Sequence, residues 1–153
     1  MDDFERALDD RGRLAAPAIG AWMRREGRIP DLALHSTAHR AVETWRLVAS
    51  ELGAEITGIA DETLYLATPE HLFTTVTSAS DGHASLLIVG HNPGLHELAL
   101  GLVGDGPDGE IARLREGYPV GALAEIRFDV DRWSVIGAKS GRLERLVFPR
   151  DLD

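Results

Sequence analysis

Cysteine is absent from the 153 residues of the sequence. This absence excludes a disulfide framework, a thiolate metal site and a cysteine nucleophile. Long hydrophobic runs are also absent, since none approaches the roughly 18 residues of a membrane-spanning helix. The opening Met1-Asp2-Asp3 is too acidic to begin a signal peptide. We therefore expect a cytoplasmic protein that has no membrane partner.

Positive charge is scarce. Sixteen lysines and arginines stand against 25 aspartates and glutamates, which gives a net charge of −9. This balance argues against general affinity for nucleic acid or anionic membranes, so any phosphate-bearing ligand needs a local positive site. Hydrophobic residues make up 44% and charged residues 27%, as is typical of a globular protein. The length predicts one domain over residues 1–153.

Strand and helix patterns alternate along most of the chain. Apolar residues at helical spacing, among them Leu14 and Met23, predict a helix between Asp10 and Gly27, with Asp9 or Asp10 as its cap. Further helices are predicted after Ser36 or Thr37 up to Gly53, from Thr68-Pro69 onward, and from Pro93 to about Val103. Strands are predicted at 32–35, more weakly at 55–60, and at 85–90, where the run SLLIVG indicates burial on both faces.

The C-terminal third has a different pattern. Residues 104–119, with several glycines and two prolines, predict an exposed loop or lid. Strands are predicted in ALAEIRFDV (122–130) and WSVIG (133–137), and RLERLVF (142–148) is expected at an edge. Together the elements predict an α/β fold of three layers, α/β/α, around a mostly parallel sheet.

Two stretches place polar side chains where a predicted strand enters a helix. His91 follows LLIVG directly, and Asn92 and Pro93 suit the cap and first position of the next helix. A helix start at the carboxyl edge of a parallel sheet favours an anion, typically phosphate. The alternative is a turn with a hydrogen-bonded histidine, and the spacing alone does not decide between them.

Arg40 is the second candidate, in HSTAHRAVETW at the end of the strand 32–35. A guanidinium there can bind phosphate oxygens bidentately and remains charged at any working pH. The alternative is an exposed arginine paired with Glu43 or Glu51. Two anion-favouring helix starts at one sheet edge favour the phosphate site.

These two stretches together resemble the histidine phosphatase superfamily, the phosphoglycerate-mutase-like fold, and most of all its short SixA-like phosphohistidine phosphatases. Ser36 to Thr44 looks like the family element Ser-Pro-x-x-Arg-Ala-x-x-Thr, and Val89 to Gly94 looks like its second-histidine element. The resemblance continues in DDFERALDDRGRLAAPAIGAWM, LYLATPEHL, YPVGALAEIRFD and SGRLERLVFPRDL, and so spans nearly the whole chain.

The resemblance implies a phosphatase acting on phosphohistidine in a protein, or on a small phosphoester, through a phosphohistidine intermediate. Arg40 and His91 would belong to its catalytic phosphate pocket, with Arg40, His91 and Asn92 binding the substrate. An acid after the third family strand is the usual proton donor, and Asp61 and Glu62 lie in that region, although two solvated loop acids are the simpler interpretation. The resemblance implies no cofactor. His35 and His39 flank a strand–helix junction, which argues against a metal site.

The sequence departs from the family in one respect. The family nucleophile lies in an Arg-His-Gly or Arg-His-Ala motif at the end of a first strand, and neither motif occurs in these 153 residues. We interpret the chain as truncated before DDFER, with that strand and motif missing. If the protein does begin at Met1, we expect a catalytically inactive module that binds phosphate or a phosphoprotein.

Overall fold

The computed structural model describes residues 2–153. These residues form five α-helices: α1 (Asp10–Arg25), α2 (His39–Glu51), α3 (Pro69–Thr77), α4 (Gly94–Leu102) and α5 (Asp108–Glu116). They also form six strands: β1 (Leu32–His35), β2 (Thr57–Ala60), β3 (Leu86–Val89), β4 (Val103–Asp105), β5 (Leu123–Arg127) and β6 (Gly141–Val147). No helix among residues 2–153 combines the length and the apolar character needed to cross a bilayer.

Side-chain caps begin two of the helices. Asp9 accepts a hydrogen bond from the backbone N–H of Gly12 at 2.9 Å, and α1 begins one residue later. Thr68 accepts from the N–H of His71 at 3.1 Å, and Pro69 occupies the first turn of α3. Each cap satisfies an amide that has no partner within its own helix. Both helix starts confirm the sequence prediction.

The strands form two sheets of three. In the first sheet β1 lies between β2 and β3, and both pairings are parallel, with His35 opposite Ala60 and Val89. In the second sheet β6 lies between β4, which is parallel to it, and β5, which is antiparallel. The parallel neighbours β1 and β3 were predicted, and they bring the residues after both strands to one edge.

Helices cover both faces of the strands. On one face α1 and α2 bury an apolar cluster that includes Ile19, Met23 and Val48, with Leu87 and Leu123 packed against it. On the other face α3 and α4 bury Leu64, Leu72 and Leu98 among others, with Ile88 and Ile126 packed against them. The predicted three-layer α/β/α architecture is confirmed.

The strand layer consists of two separate sheets, and the break between them lies between β3 and β5. Both strands contribute side chains to the same two apolar clusters. Within residues 2–153, however, β3 pairs only with β1, and β5 pairs only with β6. Residues 86–89 are therefore half-buried rather than buried on both faces as predicted. The family resemblance implies that the missing first strand would lie beside LLIVG, and this position stays a prediction.

Three predictions for the C-terminal third were wrong. Residues 104–119 contain most of β4 and the whole of α5, where Leu114 is buried in a third apolar cluster, so they are not a loop. Trp133–Val135 form a 3₁₀ turn rather than a strand, because the Trp133 amide bonds the Asp81 carboxylate and its indole N–H bonds the His83 carbonyl. Strand β6 is central in its sheet, not an edge.

Two smaller predictions in the N-terminal half also failed. Leu14 was assigned to the apolar face of α1 but is 77% exposed, since α1 buries Ala16, Ile19 and Met23 instead. Neither Ser36 nor Thr37 caps α2, whose N-cap is Ala38 without a side-chain bond. The hydroxyl of Ser36 has a different set of partners, described below.

Candidate active site

Arg40 and His91 meet at the carboxyl edge of the parallel sheet. His91 follows β3 after a single glycine, and Arg40 is the second residue of α2, which begins shortly after β1. Because β1 and β3 are parallel neighbours, their following residues lie at one edge. Nη2 of Arg40 is 3.3 Å from Nδ1 of His91. The structure therefore brings together the two residues that the sequence singled out.

Ser36 lies beneath this pair. It is fully buried, and its Oγ is 2.8 Å from Nε2 of His91. The same Oγ accepts a hydrogen bond from the backbone N–H of Ala38 at 3.1 Å. Ser36 thus connects the end of β1, the entry to α2 and the His91 ring. The sequence pattern predicted a cap at this position, and the contact with His91 was missed.

A carboxylate already lies against the arginine. Arg40 donates from Nη1 to the Asp3 carbonyl oxygen at 2.8 Å and from Nη2 to Asp3 Oδ2 at 3.2 Å. The Tyr65 hydroxyl donates to the same carboxylate oxygen. An anionic group is therefore held at the guanidinium, next to His91. Sequence reasoning missed Asp3 and Tyr65, because neither stands beside a strand end or in a motif with a chemical role.

Aromatic rings enclose one side of the site. The Tyr65 ring packs edge-on against His91, with centroids 5.4 Å apart, and Phe4 packs edge-on against Tyr65 at 5.0 Å. The segment after Tyr65 passes close to the start of α4, where a Cβ at Gly94 would collide with the Ala67 carbonyl oxygen. A glycine at the first residue of α4 allows this approach.

The environment shifts the pKa values of three groups at the site. Burial, and then the Arg40 charge, lower the pKa of His91, which favours the neutral imidazole. The hydrogen bond from Tyr65 and the nearby Arg40 charge lower the pKa of Asp3, while the same bond raises the pKa of Tyr65. At neutral pH the site accordingly contains one guanidinium, one carboxylate and an uncharged histidine.

Asn92 does not fill its predicted place. Its side-chain amide donates to the Tyr118 carbonyl oxygen at 2.7 Å, and the N-cap of α4 is Pro93 rather than Asn92. The Asn92 side chain therefore joins the start of α4 to the segment before β5. The expectation that Asn92 caps the helix is corrected, and its role in substrate binding stays a prediction.

The two candidate acids lie after β2. Asp61 accepts hydrogen bonds from the backbone N–H and the hydroxyl of Thr63, at 2.9 and 2.6 Å, and so caps the short 3₁₀ turn Glu62–Leu64. Glu62 is exposed. Within residues 2–153, no hydrogen bond or ion pair joins either acid to Arg40 or His91. In the same range, no group of three or more metal-ligating side chains is placed to hold a metal ion.

Sequence comparison finds relatives in Mycobacterium. No family model matches the sequence. An uncharacterized protein of Mycobacterium leprae is 31% identical over 149 residues, covering 97% of this chain and 89% of the relative. An uncharacterized protein of Mycobacterium tuberculosis (strain H37Rv) is 32% identical over 127 residues, covering 82% and 78% respectively.

Solved structures share the fold. A protein assigned as the phosphohistidine phosphatase SixA of Agrobacterium tumefaciens superposes with a TM-score of 0.81 at 24% identity, over 97% of this chain and 87% of that one. The protein histidine phosphatase SixA in complex with tungstate superposes with a TM-score of 0.78 at 18% identity, over 99% and 90%. The likeness covers nearly the whole of this chain.

Proposed function

We propose a function from two premises: this chain belongs to one family with the mycobacterial proteins, and it has the SixA fold of the histidine phosphatase superfamily. The proposed function is the removal of phosphate from phosphohistidine in a protein. A small phosphoester is the other substrate class that the fold allows. In this proposal Arg40 and His91 bind the phosphoryl group. The cytoplasmic location stays a prediction from the sequence.

The 3.3 Å contact between Arg40 and His91 is the observation that carries the proposal. A guanidinium and an imidazole at the end of adjacent parallel strands provide a charge and a directional donor for one phosphate group. The carboxylate of Asp3 against the guanidinium supports an anion at this place. The solved relative that binds tungstate, a tetrahedral oxyanion, has the same fold.

In the proposed reaction a neutral histidine attacks the phosphorus atom while the P–N bond to the substrate histidine, or the P–O bond of a phosphoester, breaks and the leaving group takes up a proton. Water then cleaves the phosphoenzyme and releases inorganic phosphate. Arg40 would offset the negative charge of the transferring group, and His91 would donate a hydrogen bond to it. The attacking histidine is the residue that the family carries in Arg-His-Gly or Arg-His-Ala. A proton donor is not assigned, although Asp61 and Glu62 stay candidates from the sequence.

The second function to test is phosphate or phosphoprotein binding without turnover. One observation favours it for the polypeptide of 153 residues: none of its six histidines stands between an arginine and a glycine or alanine. Binding would then use the same Arg40 and His91. Turnover of a phosphomonoester separates the two functions, and phosphate binding is common to both.

Replacing Arg40 tests the shared binding step. We expect Arg40→Ala to weaken the binding of inorganic phosphate or vanadate by about 1.5–3 kcal/mol, the range for a hydrogen bond to a charged group. Isothermal titration calorimetry measures the change. Arg46→Ala is the matched control, because Arg46 lies on the same helix with an exposed side chain. Equal affinity in wild type and Arg40→Ala would show that the anion site lies elsewhere.

Replacing Asp3 tests whether its carboxylate competes with phosphate. We expect Asp3→Asn to tighten phosphate binding severalfold, since the substitution removes a negative charge that lies against the Arg40 guanidinium and repels the anion. Asp10→Asn, an equal charge change at a fully exposed side chain on α1, controls for net charge. Weaker binding in Asp3→Asn would mean that Asp3 holds Arg40 in place rather than competing.

A further inference from the structure

The contacts of the His91 ring determine which of its nitrogens carries the proton. The guanidinium of Arg40 has only donors, so at 3.3 Å from Nη2 the Nδ1 atom of His91 must be the acceptor. The single proton of the neutral ring is then on Nε2, which lies 2.8 Å from Ser36 Oγ. In the free site, His91 therefore accepts from Arg40 and donates to Ser36.

When an anion binds between Arg40 and His91, Nδ1 of His91 must change from a hydrogen-bond acceptor to a donor. An oxygen of a dianion is an acceptor, so Nδ1 must donate to it, while Nε2–H is still directed at Ser36. A ring that donates from both nitrogens is an imidazolium, and a dianion stabilises that positive charge. Ser36 Oγ is suited to accept from Nε2–H, because its burial leaves few competing partners.

From this geometry we infer that His91 takes up a proton when the anion binds, and that Ser36 is the positioning residue that accepts the Nε2–H of the resulting imidazolium. The inference rests on the proposed function, since it concerns the same phosphate site. It goes further by making phosphate affinity depend on pH through one residue. Affinity should fall as pH rises, because the proton becomes harder to supply.

The other charged groups facing His91 keep their charge through the relevant pH range. Arg40 on α2 stays a cation, and Asp3, whose pKa is lowered, stays a carboxylate. Tyr65, whose pKa is raised, stays a neutral phenol. Burial and Arg40 lower the pKa of His91 from its usual 6.5, so the free ring is neutral above that pH. His35 contacts the Ser36 carbonyl from β1, and His39 pairs with Glu43 on α2, so both need a control.

Sulfate is the appropriate probe, because it remains a dianion throughout and brings no proton of its own. We expect the dissociation constant of sulfate to rise about tenfold per pH unit between roughly pH 6.5 and 8.5, because the binding of each sulfate is coupled to the uptake of one proton. Calorimetry at pH 7.5 in buffers of different ionisation enthalpy should show uptake of about one proton per sulfate. His91→Gln should bind more weakly with no such slope, which separates His91 from His35 and His39.

Ser36→Ala then tests the positioning role. Loss of the acceptor destabilises the bound imidazolium, so sulfate affinity should fall about tenfold at pH 7.5, and the tenfold-per-unit slope should end at a lower pH than in the wild type. A purely structural effect would weaken binding by one factor at every pH and leave the end of the slope where it is in the wild type, and this result would overturn the role of Ser36. Sulfate binding to wild type without a pH slope would overturn proton uptake alone. Absence of any sulfate or phosphate binding at Arg40 would overturn the proposed function as well.

Discussion

The polypeptide of 153 residues is expected to show no phosphatase turnover, although it should bind phosphate. Its sequence contains no Arg-His-Gly or Arg-His-Ala. His91 cannot easily replace the missing nucleophile, because it flanks the proposed phosphate beside Arg40, whereas in-line attack comes from opposite the leaving group. Loss of a nucleophile that acts as part of a unit reduces turnover on the order of 10⁶-fold.

Extending the polypeptide should restore hydrolysis. The extension would carry roughly twenty residues, an apolar strand at about 3.3 Å per residue followed by Arg-His-Gly or Arg-His-Ala. The strand would pair with the edges of β3 and β5 that have no partner within residues 2–153. Both polypeptides are assayed on a chromogenic phosphomonoester and on a phosphohistidine protein, with detection of an acid-labile phosphoenzyme.

Two controls make this comparison decisive. An extension that carries Arg-Gln-Gly in place of Arg-His-Gly should bind phosphate but not turn over, which separates chemistry from folding. Robust turnover by the 153-residue polypeptide that is abolished in His91→Ala would contradict the assignment, since it would make His91 the nucleophile.

The largest expected effect on stability comes from Leu64. This side chain is 1% exposed and belongs to the apolar cluster under α3 and α4. Leu64→Ala should lower the free energy of unfolding by about 2–5 kcal/mol, through lost burial and the cavity that is left. Chemical denaturation with urea measures the change, read as a shift of the midpoint at constant slope.

Leu14→Ala is the matched control for this substitution. Leu14 is 77% exposed, so the same change of side chain should alter the free energy of unfolding by no more than about 0.5 kcal/mol. Leu64 also immediately precedes Tyr65, which contacts His91 and Asp3. Phosphate affinity should therefore fall in Leu64→Ala even where the protein is folded. Equal stability losses at both positions would contradict the assignment of Leu64 to the core.

The regular elements were predictable where local chemistry determines them. Asp9 and Thr68 are caps by their side-chain chemistry, and the spacing of Ile19 and Met23 marks the buried face of α1. Strand–helix alternation predicts a parallel sheet, and parallel strands bring Arg40 and His91 to the same edge, as the pairing of β1 with β3 does. These features depend on neighbours close in sequence or on general rules of topology.

Other features depend on contacts between distant segments, which one sequence does not reveal. The exposure of β3 depends on which strands pair with it. Its four apolar residues indicate burial, but they do not show whether a strand lies on each side of it. Trp133 was placed in a strand by its apolar neighbours, but bonds to Asp81 and His83, some fifty residues earlier, determine its conformation. The hydrogen bond between Arg40 and Asp3 is likewise a contact between distant segments, since 37 positions separate the two residues.

The division between β3 and β5 determines how the two halves of the strand layer are held. Hydrogen-bonded ladders fix the alignment of strands residue by residue, whereas apolar packing is non-directional. Across this division Leu87 and Leu123 share one cluster and Ile88 and Ile126 share another, with no backbone ladder between the two strands. The two halves are consequently joined by apolar packing, and no hydrogen-bond ladder among residues 2–153 sets the register of β3 against β5. A strand bonded to both edges would lock them and fix the position of His91 relative to β5.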